Sequence, residues 1–456
     1  MDRGGKKTIA AVHQEVTREL DTLLPRIFAE QRKTGDLDIE AVELAMRTAL
    51  HAAGAAGLTE LLRQPGPVPT SVPCACGGQA RYKDMRLKPL LTVLGPAKTL
   101  RAYYWCSRCR QGRFPADIAR DIEDTEFSPG VRRMLALVGS ECSSFDHGRQ
   151  QMELLADLQV TAKAVERVTE AIGADIARRQ QETIQQAMQL ELPVAVGGPI
   201  PKLYVQMDGT GLPMVARETE GRSGKGEDGR AHTREAKLGC VFTQSSVDDQ
   251  GRPVRDEEST TYTGAIETAA EFSRRIYTEA HQRGWGRAQI KVVMGDGAEW
   301  IWNICEEQFP GAIQIVDLYH ARQHLGELGG KLHPNDDKSK RRWVMAHQHL
   351  LDDGKIEKLV AKLRALLPEN PVLAAAIRTE ANYFEHNADR MRYPQFHKHD
   401  LFVGSGVIEA GCKTVMGSRL KRSGMFWTVR GANAVIALRC CRYSRRFDDY
   451  WEDRRH

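Results

Sequence analysis

The chain has 456 residues, with 65 Lys and Arg against 60 Asp and Glu for a net charge of +5, and 41% hydrophobic residues. That length suits about three domains with ample cores, and no apolar run approaches the ~20 residues of a membrane-spanning helix. The opening stretch Met1 to Lys7 has no apolar core of a secretory leader, so a cytoplasmic protein is expected, with its ten cysteines reduced rather than paired.

Residues 8–33 and 38–63 predict two helices, because Val12, Val16, Leu20, Leu23, Leu24 and Ile27, then Ile39, Val42, Met46 and Leu50, recur at helical spacing. The Pro/Gly-rich stretch Arg63 to Pro69 reads as a linker and closes an N-terminal helical region at 1–66. In residues 67–126, Cys74-Ala-Cys76 and Cys106-Ser-Arg-Cys109 flank β-prone pieces at Leu90–Leu94 and Ala102–Trp105. Two cysteine pairs on turns beside strands suit a four-cysteine zinc-ribbon-like module, in which structural Zn²⁺ replaces a core too small to fold alone. The first pair is CxC where CxxC is usual, and reduced cysteines without metal are the alternative. The remaining six cysteines read as small buried hydrophobes.

Residues 127–192 read as helical. Within them, Gly148 to Val168 has a helix-turn-helix look: one helix ends near Asp157, Thr161 is a candidate N-cap, and the next helix sets Val165 and Val168 apart from Lys163 and Arg167. A recognition helix for the DNA major groove has this pattern, and so does an ordinary helical hairpin.

A Gly/Pro-rich joint at Pro193–Pro201 opens the next region, 193–320. Strands are expected at Leu203–Met207, Gly211–Ala216 and Lys237–Gln244, with a polar loop Glu218–Thr233 between the last two. A helix at Ile266–Arg283, a strand at Ile290–Met294, a helix from Glu299 and a strand at Ala312–Val316 follow. Antiparallel strands first and strand-helix-strand afterwards suit the mixed sheet of an RNase H-like core. Residues 321–400 read as a helical insertion, and 401–456 as the final helices of the core with a basic C-terminal segment.

Asp208 ends the apolar run Lys202 to Met207, and Asp296 follows Ile290 to Gly295. Each precedes glycine, which lets a metal or phosphate approach the backbone closely; an Asp-Gly turn is the plain alternative for each. Glu409 lies in Val403-Gly-Ser-Gly-Val-Ile-Glu-Ala-Gly411, a turn running into a helix. Two strand-end aspartates and a helix-borne glutamate are sufficient protein ligands for two Mg²⁺ (or Mn²⁺) ions ~4 Å apart, which cut phosphodiesters without a covalent nucleophile. Asp317 and His320, in Asp-Leu-Tyr-His, read as a helix cap with a satisfied histidine or as a pair supporting that site. From Ala410 to Phe447 there are nine Lys or Arg and no Asp or Glu. Lys413, Arg419, Lys421 and Arg422 are candidate phosphate contacts; Lys413 can equally pair with Glu409 one turn away. Trp427, beside Phe426, is a candidate for stacking on bases or for the core. The glycine-rich Gly221–Gly229 lacks the spacing of a nucleotide-binding loop.

Tyr204 to Gly211, Arg234 to Gln244, Val293 to Trp302, Ile315 to Ala321, Gly404 to Gly411 and Arg419 to Trp427 together resemble the bacterial DDE transposases of the ISKra4 type. The resemblance runs from the cysteine pairs almost to the C-terminus. It implies an RNase H-like catalytic core with a DDE triad at Asp208, Asp296 and Glu409, interrupted by the helical insertion. It also matches Asp317 and His320 to a D-x-x-H signature. The expected whole is a multidomain α+β transposase, its helical and zinc-ribbon-like regions binding terminal inverted repeats. Its core would cut the element's ends and transfer the 3′-hydroxyl into target DNA within a homo-oligomer. A non-catalytic, domesticated DNA-binding protein and an RNase H-like nuclease without strand transfer are the alternatives.

Overall fold

The computed structural model describes residues 3–31, 38–64, 66–190, 197–224 and 229–454. Parts of the expected linker, of the joint at 193–201 and of the polar loop at 218–233 therefore lie outside the described residues. The chain divides into two compact units, one formed by residues up to Thr169 with those from Trp451 onward, the other by Glu170–Tyr450.

In the first unit, helices α1 (Arg3–Gln31) and α2 (Ile39–Arg63) occupy the two periodic stretches. Asp38 caps α2 by accepting from Ala41 N at 3.1 Å. Four antiparallel strands follow: β1 (Ser71–Pro73), β2 (Gln79–Thr92), β3 (Gly95–Cys106) and β4 (Gln111–Arg113). The β2–β3 hairpin is much longer than the two short pieces expected. It runs from the Ala80–Cys106 pair to Thr92–Gly95. The piece expected to continue through Leu94 stops at Thr92 because the Thr92 hydroxyl accepts from Leu94 N and donates to Gly95 O, closing a tight turn. Gly95, at φ 104°, supplies the left-handed residue this turn needs.

Helices α3 (Pro115–Ala119), α4 (Pro129–Glu141), α5 (Phe145–Ala156) and α6 (Ala162–Met188) complete this part of the chain. The turn between α5 and α6 is built as the sequence predicts. Asp157, at φ 56°, closes α5, and Thr161 Oγ1 caps α6 through Ala164 N at 3.0 Å. Val165 and Val168 are buried, while Lys163 and Arg167 are exposed.

The second unit is built on a five-stranded sheet in the order β11-β10-β5-β6-β9. Its strands are β5 (Ile200–Pro213), β6 (Thr233–Gln244), β9 (Thr261–Ala265), β10 (Ala288–Gly295) and β11 (Ile313–Val316); a small hairpin of β7 (Ser246–Val247) and β8 (Pro253–Val254) stands apart. β5, β6 and β9 are antiparallel neighbours, and β10 and β11 run parallel to β5. The expected mixed sheet is therefore present, with two changes in its strands. The pieces expected at Leu203–Met207 and Gly211–Ala216 are one strand, because β5 stays paired with β6 as far as Pro213–Thr233. The third antiparallel strand is the unforeseen β9, whose Thr, Tyr and Gly carry no apolar signal although Thr261 and Thr263 are buried.

The sheet is hydrophobic on both faces, as a layered core requires. Leu203, Tyr204, Val205 and Met207 are all buried. Tyr204 stacks on Phe242 at 4.8 Å, with Phe402 edge-on. Helix α7 (Ala269–Gln282) covers one face at Gly239, where Ile276 and Phe272 crowd the backbone. Helix α8 (Glu299–Gln308) joins β10 to β11. The stretch expected as a helical insertion is helical, with α9 (Leu318–Leu332), α10 (Asp337–Asp352), α11 (Ile356–Arg364), α12 (Pro371–His386) and α13 (Tyr393–Lys398). The chain then returns through α14 (Gly406–Gly411), a π-helical turn at Cys412–Gly417, α15 (Ser418–Leu420), α16 (Val429–Tyr443) and α17 (Phe447–Asp453). No described helix is long and apolar enough to cross a membrane.

Candidate active site

Strand geometry aims the first aspartate. Side chains along β5 alternate between faces, so Gln206, Asp208 and Thr210 share one. Directly opposed residues of antiparallel strands point the same way, and Asp208 opposes Leu238, which packs under α14 at Gly411. Asp208 does not end its strand; it sits where β10 stops pairing, two residues past the last β5–β10 pair, Gln206–Met294. Asp296 directly follows the end of β10. The two aspartates thus lie at the same level of two adjacent parallel strands, Asp296 just past the end of β10 and Asp208 within β5.

Glu409 is brought to them by two contacts that anchor the start of α14. The buried Gln206 accepts from Ile408 N at 3.1 Å, across 202 positions. Asp317, fully buried, takes two backbone N–H groups on its two carboxylate oxygens, His320 N and Ser405 N. Ser405 Oγ then donates to Glu409 Oε1 at 3.0 Å. Asp317 is therefore both the cap of α9 and the anchor of the loop that presents Glu409.

A cavity of about 290 Å³ results, lined by Met207, Asp208, Asp296, Tyr319, His320, Gln323, Ser405, Ile408 and Glu409. Burial holds the Asp208 carboxyl above the usual carboxylate range, and the charges of Asp296 and Glu409 add to this; Cys412 and Gly209 N–H act against it as donors. The acidic neighbours that raise the proton affinity of Asp208 are the setting in which a divalent ion would be held. Their oxygens are not drawn together as tightly as the cysteine sulfurs described below.

The turn reading of the Asp-Gly pairs holds at Asp296. Its Oδ1 accepts from Ala298 N at 2.9 Å, a turn, while the side chain also lines the cavity. Gly297 is required at φ 99°, and a Cβ there would meet the Tyr383 ring at 2.6 Å. Gly209 serves otherwise than expected: a Cβ would face Glu235, on the sheet face away from Asp208.

The basic segment divides. Lys413, Lys421 and Arg422 are exposed, and Lys421 Nζ donates to Thr210 Oγ1 on the strand of Asp208. Arg419, expected as a candidate DNA contact, is buried instead, and of the two readings of Trp427 the structure takes the core. Trp427 Nε1 donates to Leu420 O at 3.1 Å, its backbone bridges to Met214, and the Arg419 guanidinium lies 5.1 Å from its ring. Arg439 is also buried and donates to Thr414 O and Val415 O, carbonyls of the π-helical turn. Arg446 pairs with the buried Glu279. The run without acids is thus partly an internal framework whose acidic partners lie far away in sequence.

Sequence reasoning missed Gln206, Ser405, Cys412, Tyr383, His324 and Glu380. Gln206 was visible as a polar residue two before Asp208, hence on its face. Cys412, read as a buried hydrophobe, instead donates to Asp208 Oδ2 at 3.2 Å.

In the other unit, Cys74 and Cys76 sit in the β1–β2 turn, Cys106 ends β3 and Cys109 sits in the β3–β4 turn. Their sulfurs all lie within 4.8 Å of one another. Cys74–Cys109 and Cys76–Cys106 are 3.5 and 3.6 Å apart. Four sulfurs at ~2.3 Å from one tetrahedral zinc would be spaced at such distances, so the residues fit the metal. Cys76 N–H and Arg113 hold the Cys74 thiol down to about 6, the thiolate form that zinc takes.

No family model matches the chain, and neither does any curated protein. Among solved structures the chain is similar to the Drosophila P element transposase strand transfer complex, at 8% identity over 74% of this chain and 83% of that one, with a TM-score of 0.24. A likeness of that size does not by itself assign a function.

Proposed function

We propose that this chain is a DDE transposase of the ISKra4 type, with an RNase H-like catalytic core that cuts DNA at the ends of an insertion sequence and joins the freed 3′-hydroxyl to target DNA. The observation that carries the reading is the convergence of Asp208, Asp296 and Glu409, from two adjacent parallel strands and a distant helix, on one cavity. The three antiparallel strands followed by two parallel ones, and the helices inserted before Glu409, support it further.

In this reading Asp208, Asp296 and Glu409 hold Mg²⁺ or Mn²⁺. Divalent ions bound there supply Lewis-acid activation of the attacking oxygen and charge for the leaving one. The exposed Lys413, Lys421 and Arg422, with Phe426 at 64% exposure, offer a phosphate- and base-binding border. The four-cysteine module holds structural Zn²⁺ and, with the α5–α6 pair, contributes to recognition of terminal inverted repeats. A homo-oligomer would bring two ends together.

Labelled terminal DNA incubated with the purified chain, with and without Mg²⁺, tests the assignment. Metal-dependent cutting and end joining are expected, both lost in Asp208→Asn with end binding kept. Binding without cutting would make it a domesticated DNA-binding protein, cutting without joining a nuclease, and cutting by Asp208→Asn at the normal rate would remove the triad.

A further inference from the structure

The helical insertion contributes side chains to the wall of the cavity. His320 and His324 stand one turn apart on α9, with their Nε2 atoms 3.3 Å apart. His324 Nδ1 lies 2.7 Å from Glu380 Oε2 on α12, and Glu380 is buried. Tyr383, one turn further along α12, stacks on the His324 ring at 4.0 Å with the planes 12° apart, and its hydroxyl donates to Asp296 O at 3.1 Å. The edge and the face of His324 are therefore both fixed, and α12 is tied to the strand end that carries Asp296.

Hydrogen-bond logic gives this chain a direction. An ionised carboxylate only accepts, so His324 Nδ1 carries the proton toward Glu380. A neutral His324 then has a bare Nε2, which accepts from His320 Nε2–H. A neutral His320 so engaged has its lone pair on Nδ1, the one ring nitrogen left for a ligand, and His320 lines the cavity. The Nδ1 atom can accept a proton, and the shared Nε2 proton can then pass to His324, where the charge meets Glu380.

We infer that His320, His324 and Glu380 form a proton relay opening into the carboxylate cavity, with His320 as the acceptor of the nucleophile's proton and His324 and Glu380 as positioning residues. The inference rests on the phosphodiester-cutting reading above. In the cutting step a water O–H gives its proton to His320 Nδ1, and the oxygen uses that electron pair to form the new P–O bond. The bond from phosphorus to the 3′-oxygen breaks, and that oxygen leaves with its electron pair and takes a proton from solvent. His320 passes its Nε2 proton to His324, and the relay discharges to bulk water once the product has left. In strand transfer the 3′-hydroxyl takes the place of the water.

Nitrogen-15 spectra of the full chain, labelled at histidine, read the tautomers directly, with His320 assigned by its loss in His320→Ala. Above the imidazole titration range the wild type should show His320 protonated at Nε2 and bare at Nδ1. In Glu380→Gln the amide can donate to His324 Nδ1, so a fraction of both rings should invert. Cleavage of labelled terminal DNA with Mg²⁺ should fall about a hundredfold in His320→Ala and recover partly with added imidazole. His324→Gln and Glu380→Gln should lower kcat about tenfold with little change in KM for DNA. A wild-type His320 protonated at Nδ1, or full activity in His324→Gln, would overturn the relay and leave the metal site standing. Normal cutting by Asp208→Asn would overturn the metal site, while the tautomer result would stand.

Discussion

The thiol of Cys412 donates a 3.2 Å hydrogen bond to Asp208 Oδ2 from 204 positions further along the chain. It begins the π-helical turn at Cys412–Gly417, an arrangement often found at functional sites, and Arg439 donates to two of that turn's carbonyls. Burial first, and then the Asp208 charge, push the Cys412 thiol up, which makes it a proton donor and not a nucleophile. Cys412→Ala should therefore leave the protein folded but remove one of the two donors that favour ionised Asp208. The Mg²⁺ concentration giving half-maximal cleavage should rise severalfold, and Cys412→Ser should restore it. An unchanged metal requirement in Cys412→Ala would reduce this bond to packing.

Asp208 itself links the site to pH. Its folded-state carboxyl titrates above the usual range, through burial foremost and then the neighbouring Asp296 charge. The folded state thus holds that proton more tightly than the unfolded chain does. Stability from this group rises as pH falls through the folded value and is lost as the carboxylate forms. Asp208→Asn should accordingly melt higher than the wild type at neutral pH. The difference should vanish below the ordinary aspartate range near ~3.9, where the wild-type group is protonated in both states. Added Mg²⁺ should raise the melting temperature of the wild type more than that of Asp208→Asn. A lower melting temperature for Asp208→Asn at neutral pH would contradict this account.

Asp317 joins α9 to the loop before Glu409 by accepting one backbone N–H on each oxygen. Asp317→Ala orphans a helix-cap N–H and a buried Ser405 N–H, together costing on the order of 2–3 kcal/mol. Asp317→Asn keeps one acceptor and turns an NH₂ toward the other donor, so it should destabilise the fold as well. Both variants should lose cleavage more than DNA binding, because Ser405 is what holds Glu409. Denaturant midpoints together with single-turnover cleavage rates check this; a stable Asp317→Ala that cuts normally would contradict it.

The sequence was legible where the chemistry is local. Asp208 and Asp296 follow apolar runs that became β5 and β10, and the cysteine pairs sit on turns whose spacing alone marks them. It was illegible where the partner lies far along the chain. Nothing near Glu380 or Tyr383 connects α12 to the strand bearing Asp296, because that contact exists only once the insertion has folded back. The basic segment misled in the opposite sense: Arg419 and Arg439 are among its most buried members, and Arg446 is matched by Glu279, 167 positions away. Polar β9 escaped notice because its burial comes from its place on the sheet and not from its composition.

The cysteine module makes the last prediction. Its core is small, centred on Cys74, Ala80, Tyr104 and Cys106, so cross-linking by a metal decides whether the turns hold. The purified chain should contain about one zinc per molecule. Arg113, donating to Cys74 at 3.2 Å, and the backbone N–H groups of Cys76 and Cys109 should keep the Cys74 and Cys106 thiolates available for it, while burial pushes the Cys109 thiol up to about 12, so that its proton must leave as the metal binds. Cys106→Ser should lose the metal, since serine offers a poor fourth ligand where a buried sulfur stood. Chelation of the wild type should release zinc and four reactive thiols together, with protease cutting first in the β1–β4 region. Cleavage at the carboxylate site on DNA supplied in excess should survive, because no catalytic side chain comes from this module. A chain purified in the presence of zinc that carries none, and whose melting does not respond to chelator, would show that the four sulfurs converge without metal.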